Sequence, residues 1–438
     1  MQTQFYKMTM KRLFLSLLFF ALACSFAHTQ TRYVGGDISM LPKYEQYNSP
    51  YKDAYNKDID NLITWFVSDC GWNTFRVRLF VNPNGSDPSV CQDLAYVTAL
   101  SKRIKEAGAY FMLDFHYSDT WVDALHIQAP EAWKGADAAT MADSLGNYTR
   151  RVLATLNAAG ATPDLVQVGN EIMYGLCGIK VAPYDKADSN WEGYLGLLKA
   201  GCNAVRELCP NAQIIIHTDR PNEVTNTKYY YNKLIDNNVD FDVIGLSYYP
   251  FWHGYLNTTS TNLVSSVNAY AAAFPDKHVQ IVECAYNFQW WPDKGVNYDT
   301  RSIWTCDTKG QYNFVKDLVD ALKPLKNVTG ICYWFPEEAG NGDNGTVIPS
   351  WLNRGFWSED KSTTGHTINR TGNTFANTLI KPQTICAPYY MRLFYNDEQG
   401  LDFSARTSDI PRKFLCDGQL FIKRDGRIYG LDGGIKTK

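Results

Sequence analysis

A (β/α)8 barrel with a short β-rich C-terminal tail is the fold this sequence predicts, on three observations. Eight short apolar runs alternate with helical stretches, a rhythm that argues for a parallel sheet wrapped in helices. The chain has 438 residues, enough for one barrel of about 250 residues with long loops. Two of the runs close on a glutamate, LVQVGNE at Glu171 and VQIVE at Glu283, where a buried strand would reach the rim that carries barrel chemistry.

The elements follow in order. YVGGDIS (33–39) is the first strand and places Asp37 near its end. TFRVRLF (74–80) carries Arg76 and Arg78 two apart, so strand alternation turns both to one face. YFMLDFHY (110–117) delivers Asp114 and His116. Ser118, Asp119, Trp121, Asp123 and Trp133 follow in its loop. LVQVGNE (165–171) ends in Asn170 and Glu171, and QIIIHTD (213–219) in His217 and Asp219. VIGLSYY (243–249) brings Tyr248 and Tyr249, with Trp252 just beyond. VQIVECAY (279–286) holds Glu283, and TGICYWF (329–335) holds Trp334. Between them lie helical patterns such as 92–108 and 190–208. A doubly wound open sheet is the structural rival, but no glycine-rich phosphate turn follows the first strand. The rhythm stops after about Lys381. Residues 396–412 are polar, and 413–433 reads as short strands broken by Asp-Gly turns. We therefore assign 28–385 to the barrel and 386–438 to a β-rich tail.

The N-terminus reads as an export signal. Lys11 and Arg12 precede the apolar run at 13–23, and Ser25-Phe26-Ala27 offers a small-residue cleavage site before His28. The run is too short to span a bilayer. A lipid-modified Cys24 is the weaker alternative, because the leucine of Ala21-Leu22-Ala23 sits one place late. The expectation is a secreted, periplasmic or cell-surface monomer with residues 1–27 removed and no transmembrane span. Export permits disulfides, but the cysteine spacing assigns none and contains no Cys-x-x-Cys.

Composition narrows the function. The net charge is −3 with no basic block past the signal, which excludes a nucleic-acid partner. The 12 Trp and 28 Tyr offer flat faces suited to sugar rings, although most aromatic side chains fill cores. Two carboxylates meeting on one rim can cleave a glycosidic bond, one protonating the leaving oxygen and the other attacking the sugar carbon. Each rim residue alone has a bland reading, an arginine neutralising a structural acid or an aspartate capping a helix. Their gathering at so many strand ends implies a polar cleft, since buried charges are costly unless paired. Seven scattered histidines do not suggest a catalytic metal, NGDNG (341–345) reads as a turn before it reads as a calcium loop, and no Gly-x-Ser-x-Gly elbow occurs. No cofactor is expected.

Six ordered motifs then carry a resemblance: GGDISMLPKYEQ (35–46), FRVRLFVNP (75–83), LDFHYSDTWVD (113–123), QAPEAW (128–133), VQVGNEI (166–172) and IGLSYYPFW (244–252). Together they resemble the arabinogalactan endo-β-1,4-galactanases of glycoside hydrolase family 53, from about Tyr33 to Gly372. The resemblance implies Glu171 as acid/base and Glu283 as nucleophile in a retaining hydrolysis of β-1,4-galactan or arabinogalactan. It further implies that Asn170 holds the sugar 2-hydroxyl and that Arg76 and one of Tyr248 and Tyr249 steady Glu283. It puts His116 beside Glu171 and leaves Trp121, Trp252 and Trp334 to stack on sugars. Asp37, Arg78, Asp114, Asp119, Asp123, Trp133 and His217 complete the expected substrate-binding set. Residues 286–310 do not show the calcium-loop residues of some bacterial members. A glycosidase acting on another β-linked polymer, or a non-catalytic glycan-binding protein, are the alternatives.

Overall fold

The structure, a computed structural model, describes residues 31–46, 50–53, 57–184, 186–187, 189–258, 262–288, 296–338, 353–359, 366–368, 387–388, 390–394, 412–416, 419–424 and 427–430. The expected export segment and the NGDNG run lie outside the described residues.

Eight strands form the barrel: β1 (Tyr33–Asp37), β2 (Thr74–Leu79), β3 (Tyr110–Phe115), β4 (Leu165–Val168), β5 (Gln213–Thr218), β6 (Val243–Tyr248), β7 (His278–Cys284) and β8 (Val328–Trp334). Each pairs in parallel with its neighbours in chain order, and β8 returns to β1, so the sheet closes and the open-sheet rival is excluded. Seven crossover helices are described: α1 (Leu62–Ser68), α2 (Leu94–Glu106), α3 (Ala138–Ala158), α4 (Trp191–Leu208), α5 (Val224–Asp236), α6 (Leu263–Ala273) and α7 (Thr308–Leu322). Six of them begin at a side-chain cap, Asn61, Asp93, Asp137, Asn190, Asn262 or Asp307. Each capping oxygen satisfies a backbone N–H the helix leaves unpaired, typically a contribution of about 1 kcal/mol.

Period-two alternation divides the strand side chains. Those turned outward, including Phe75, Val77, Leu113, Val166, Ile214, Ile216, Ile244 and Leu246, join the helices in the main core. Those turned inward at the lower end, Tyr33, Met112, Leu165, Ile215, Val243 and Val282, form a separate apolar plug inside the barrel. Close approach of β1 and β2 needs glycine: a Cβ on Gly35 would lie 1.6 Å from the carbonyl oxygen of Thr74.

The expected strands agree with these within about three residues, the largest difference being at β4. It stops at Val168 because Gly169 (φ 92°) and Glu171 (φ 51°) leave the extended region. A second sheet that the sequence did not suggest joins Tyr51–Lys52, Asp58–Ile59, Trp357–Glu359 and His366–Ile368. In the C-terminal stretch, β9 (Arg412–Cys416), β10 (Gln419–Arg424) and β11 (Arg427–Gly430) form a three-stranded antiparallel sheet. Among the described residues, Cys91, Cys177, Cys202, Cys209, Cys284, Cys306 and Cys332 are free thiols. No helix among the described residues is long and apolar enough to cross a membrane.

Candidate active site

Two local irregularities turn the glutamates inward. On β7 the register to β6 slips by one residue, so that Leu246 faces Ile281 but Ser247 faces Glu283. Val282 is the extra residue of this bulge and already belongs to the inner plug. Strict alternation would then send Glu283 outward among the helices; the bulge re-aims it into the barrel mouth. Glu171 reaches the same mouth through its left-handed backbone, φ 51° and ψ 46°. Such a conformation costs a non-glycine residue about 1–3 kcal/mol and persists only where its surroundings enforce it.

Glu283 is buried and doubly held. Its Oε1 lies 2.9 Å from Nη2 of Arg76, and its Oε2 accepts the Tyr249 hydroxyl at 2.7 Å. Arg76 is the hub of the site. It also pairs with Asp37 (2.7 Å) and Asp114 (2.8 Å) and donates to Oδ1 of Asn170 (2.9 Å). Asp37 in turn accepts from Arg78 at 3.1 Å and from the Ser39 hydroxyl at 2.6 Å. Burial raises the Glu283 pKa, and Arg76 and Tyr249 oppose that rise. Burial also works against ionised Asp114, but Arg76 and His116 outweigh it and hold that carboxyl below its usual range.

Glu171 has no such cation. Its Oε1 accepts the Ser247 hydroxyl at 2.6 Å, and among the described residues it makes no ion pair. Its pKa stands well above the usual carboxylate range, driven by burial and by the charges of Asp219 and Glu283. Glu171 is half-buried and keeps some contact with solvent. Beside it stands His217, whose Nδ1 accepts the Glu171 backbone N–H at 3.3 Å and whose Nε2 lies 2.9 Å from the Ser247 oxygen. Burial keeps this imidazole neutral by lowering its pKa.

Several expected residues stand elsewhere. His116 is not the neighbour of Glu171. Its Nε2 lies 3.0 Å from Asp114, its ring packs between Phe80 and Trp121, and His217 takes the place next to Glu171. Tyr248 points outward: its hydroxyl donates to the Gly254 carbonyl and its ring stacks on Phe314 of α7, which leaves Tyr249 as the partner of Glu283. Asp119 accepts the Glu131 N–H and braces its own loop. Asp123 accepts from Leu125, His126 and the Trp121 indole, so it orders a turn and orients that tryptophan. Trp133 packs edge-on against Tyr148 of α3, a packing contact. Trp121 and Trp334 do meet at the mouth, 6.5 Å apart and edge to face, with the Arg78 guanidinium near both. Trp252 is half-buried on a short helix after β6.

Ser247 and Gln167 escaped the sequence reading. Gln167 donates to Asp114 at 2.6 Å, and Ser247 bridges Glu171 and His217. Alternation on β6 was the available signal, since Val243, Gly245, Ser247 and Tyr249 share one face.

A closed parallel barrel carrying two inward carboxyls at its C-terminal mouth, one bound to arginine and one not, defines a glycosidase site. The family model for glycosyl hydrolase family 53 matches residues 33–377, and the chain belongs to that family. It is 32% identical to a probable arabinogalactan endo-beta-1,4-galactanase A of Aspergillus terreus, over 75% of this chain and 93% of the relative. It is also 32% identical to the arabinogalactan endo-beta-1,4-galactanase of Cellvibrio japonicus, over 69% of this chain and 80% of the relative. Among solved structures it is similar to a fungal beta-1,4-galactanase, with a TM-score of 0.64 and 26% identity over 78% of this chain and 98% of that one. The catalytic domain of an Ignisphaera aggregans family 53 protein shares the fold, with a TM-score of 0.69, 24% identity and coverage of 85% and 98%.

Proposed function

We propose that this protein is an exported endo-β-1,4-galactanase. It opens internal β-1,4-galactosyl bonds in the galactan and arabinogalactan side chains of pectin by a retaining double displacement. The observation that carries the mechanism is the unequal treatment of two carboxyls. Glu283 has a guanidinium at 2.9 Å and a phenol at 2.7 Å, while Glu171 has one hydroxyl and two neighbouring negative charges. The first environment opposes the rise that burial imposes on Glu283, and the second adds to it at Glu171, so Glu283 is the carboxylate of the pair and Glu171 the carboxylic acid. The substrate class rests on the names of the relatives.

In the first step Glu283 attacks the anomeric carbon while Glu171 gives its proton to the leaving oxygen. A covalent galactosyl-enzyme forms and the leaving chain departs. Glu171, now ionised, takes a proton from water, whose oxygen displaces Glu283 from the sugar. Retention requires the carboxyls to stand about 5–5.5 Å apart. Asn170, whose Nδ2 donates to the Val122 carbonyl at 2.9 Å, keeps a second N–H for the sugar 2-hydroxyl. Trp334 and Trp121 offer ring faces to the bound sugars.

The test is digestion of linear β-1,4-galactan beside mannan, xylan and cellulose by the wild type, Glu171→Gln and Glu283→Gln. Oligosaccharides from galactan alone, with both variants inactive, are expected. Equal release from another polymer refutes the substrate, and a fully active Glu283→Gln refutes the residue assignment. The mature N-terminus of secreted material is expected at His28.

A further inference from the structure

Glu171 must hold a proton on one particular oxygen, and the side chains beside it form a chain of hydrogen bonds that bears on which. Ser247 is fully buried on β6. Its hydroxyl oxygen lies 2.6 Å from Oε1 of Glu171 and 2.9 Å from Nε2 of His217 on β5. Nδ1 of His217 faces two groups, the backbone N–H of Glu171 at 3.3 Å and Oδ1 of Asn170 at 3.1 Å. The tautomer of this imidazole sets the direction of the whole chain. Oδ1 of Asn170 already accepts from Nη2 of Arg76 at 2.9 Å and from Nε2 of Gln167 at 3.3 Å. The Glu171 N–H has only His217 among the described residues, and a sheltered N–H left unpaired is costly. Nδ1 is therefore the acceptor and Nε2 carries the hydrogen. Nε2–H donates to the Ser247 oxygen, which leaves the Ser247 hydrogen to point at Oε1 of Glu171. With one hydrogen on each group, the chain runs one way, from imidazole to hydroxyl to carboxyl.

We propose that Ser247, oriented by His217, is a positioning residue that reserves Oε1 of Glu171 as an acceptor, so that the proton given to the leaving sugar oxygen is carried on Oε2. The inference rests on the glycosidase reading above. Oε2 has no partner among the described residues, and Glu171 keeps some contact with solvent, so this oxygen is free to meet a substrate. A carboxyl held by neither oxygen can turn about its last bond and carry its proton on either side. The bond to Oε1 removes both freedoms, and such alignment is a main source of rate. Hydrogen bonds to an ion are about twice as strong as those between neutral groups. Ser247 therefore holds Glu171 more tightly as its proton departs, which stabilises the transition state more than the bound substrate. The same bond draws the Glu171 pKa down, against burial and the charges of Asp219, Glu283 and Asp123.

The experiment compares kcat/KM for a β-1,4-galacto-oligosaccharide, whose leaving group needs a proton, with that for a dinitrophenyl galactobioside, whose leaving group does not. In Ser247→Ala the ratio of the first to the second should fall roughly tenfold. Ser247→Thr, which returns the hydroxyl, should restore it. Loss of a donor to the carboxylate raises the Glu171 pKa, and Glu171 must start protonated. The basic limb of kcat/KM should therefore move to higher pH in Ser247→Ala. A role in packing alone lowers both substrates together and leaves the limb in place; either result overturns the proposal. Where the alanine variant does not fold, Ser247→Cys, a poorer donor of similar shape, serves for the same comparison. NMR titration of the glutamate carboxyl carbons, assigned with Glu171→Gln, reads the hydrogen bond without turnover. The Glu171 carboxyl should titrate at higher pH in Ser247→Ala, and an unmoved midpoint overturns the proposal. A wild type that fails to cleave the oligosaccharide would instead strike the galactanase reading, while the titration still decides the role of Ser247.

Discussion

At the lower end of the barrel the inward apolar positions include Tyr33, Met112, Leu165, Ile215 and Val243. One or two inward steps further along the same strands stand Asp37, Asp114, Gln167, His217 and Ser247, tied to one another and to Arg76. The backbone supplies the same alternation at both ends, yet one end is an apolar plug beside buried Gln280 and the other a charged mouth. The difference teaches where stability and chemistry reside. The plug is held by burial, worth about 1.5–3 kcal/mol per large apolar side chain. The mouth concentrates charges around Arg76, whose loss would leave three buried carboxylates without their counter-ion.

The largest separation of the two ends should come from paired substitutions. Glu283→Ala should lower turnover by roughly 10³-fold or more, at least about 4 kcal/mol of barrier, while its melting temperature stays near the wild type's. Azide should restore part of the activity on a substrate with a good leaving group. Ile215→Ala should do the reverse, costing about 2–5 kcal/mol of stability with an unshifted pH–activity profile. If Glu283→Ala melts like Ile215→Ala, the division between the ends fails.

Arginines sharpen the comparison. Arg76 and the three carboxylates it pairs are all buried. Arg206, at the lower end, pairs with the more exposed Asp240 and Asp242. Arg76→Met should cost about 3–5 kcal/mol in denaturant unfolding and abolish activity. Arg206→Met should cost about 1 kcal/mol and leave turnover intact. Equal losses would show that the mouth is no more charge-dependent than the surface.

Smaller effects distinguish neighbours. Tyr249→Phe removes a donor to the Glu283 carboxylate, so the pKa of that group rises further. Activity needs it ionised, so the acidic limb of the pH profile should move to higher pH, with a roughly tenfold loss of kcat, about 1.4 kcal/mol. Tyr248→Phe loses only a hydrogen bond to the Gly254 carbonyl, about 1 kcal/mol of stability, and should keep the profile. Asp219→Asn is the mildest. Asp219 is itself pushed up to about 6 by burial, and its charge helps keep Glu171 protonated. Removing that charge lowers the Glu171 pKa, so the basic limb should move to lower pH. An unmoved basic limb would remove Asp219 from the electrostatics of Glu171.

Much of this architecture was legible because buried parallel strands announce themselves as apolar runs closing on polar residues. The eight strands and the inward set Asp37, Arg76, Asp114, Tyr249 and Trp334 follow from that pattern. Backbone irregularity was not legible. No residue preference marks the bulge at Val282, and nothing about Glu171 announces a left-handed φ, since tertiary contacts impose both. Assigning His116 to Glu171 failed because its inward direction is shared with Asp114, two residues earlier, whose charge it joins. Tyr248 was resolvable by counting faces on β6. Aspartates 119 and 123 and Trp133 look the same in sequence whether they bind sugar or brace a loop.

The spatial relation of Glu171 and Glu283 is the core of the account, and the stereochemistry of the first product reports on it most directly. NMR of linear β-1,4-galactan during the opening minutes of hydrolysis should show new reducing ends in the β configuration, with α signals growing later by mutarotation. New ends that appear first as α would mean that water, not Glu283, attacks the sugar, and would contradict a covalent intermediate on that residue.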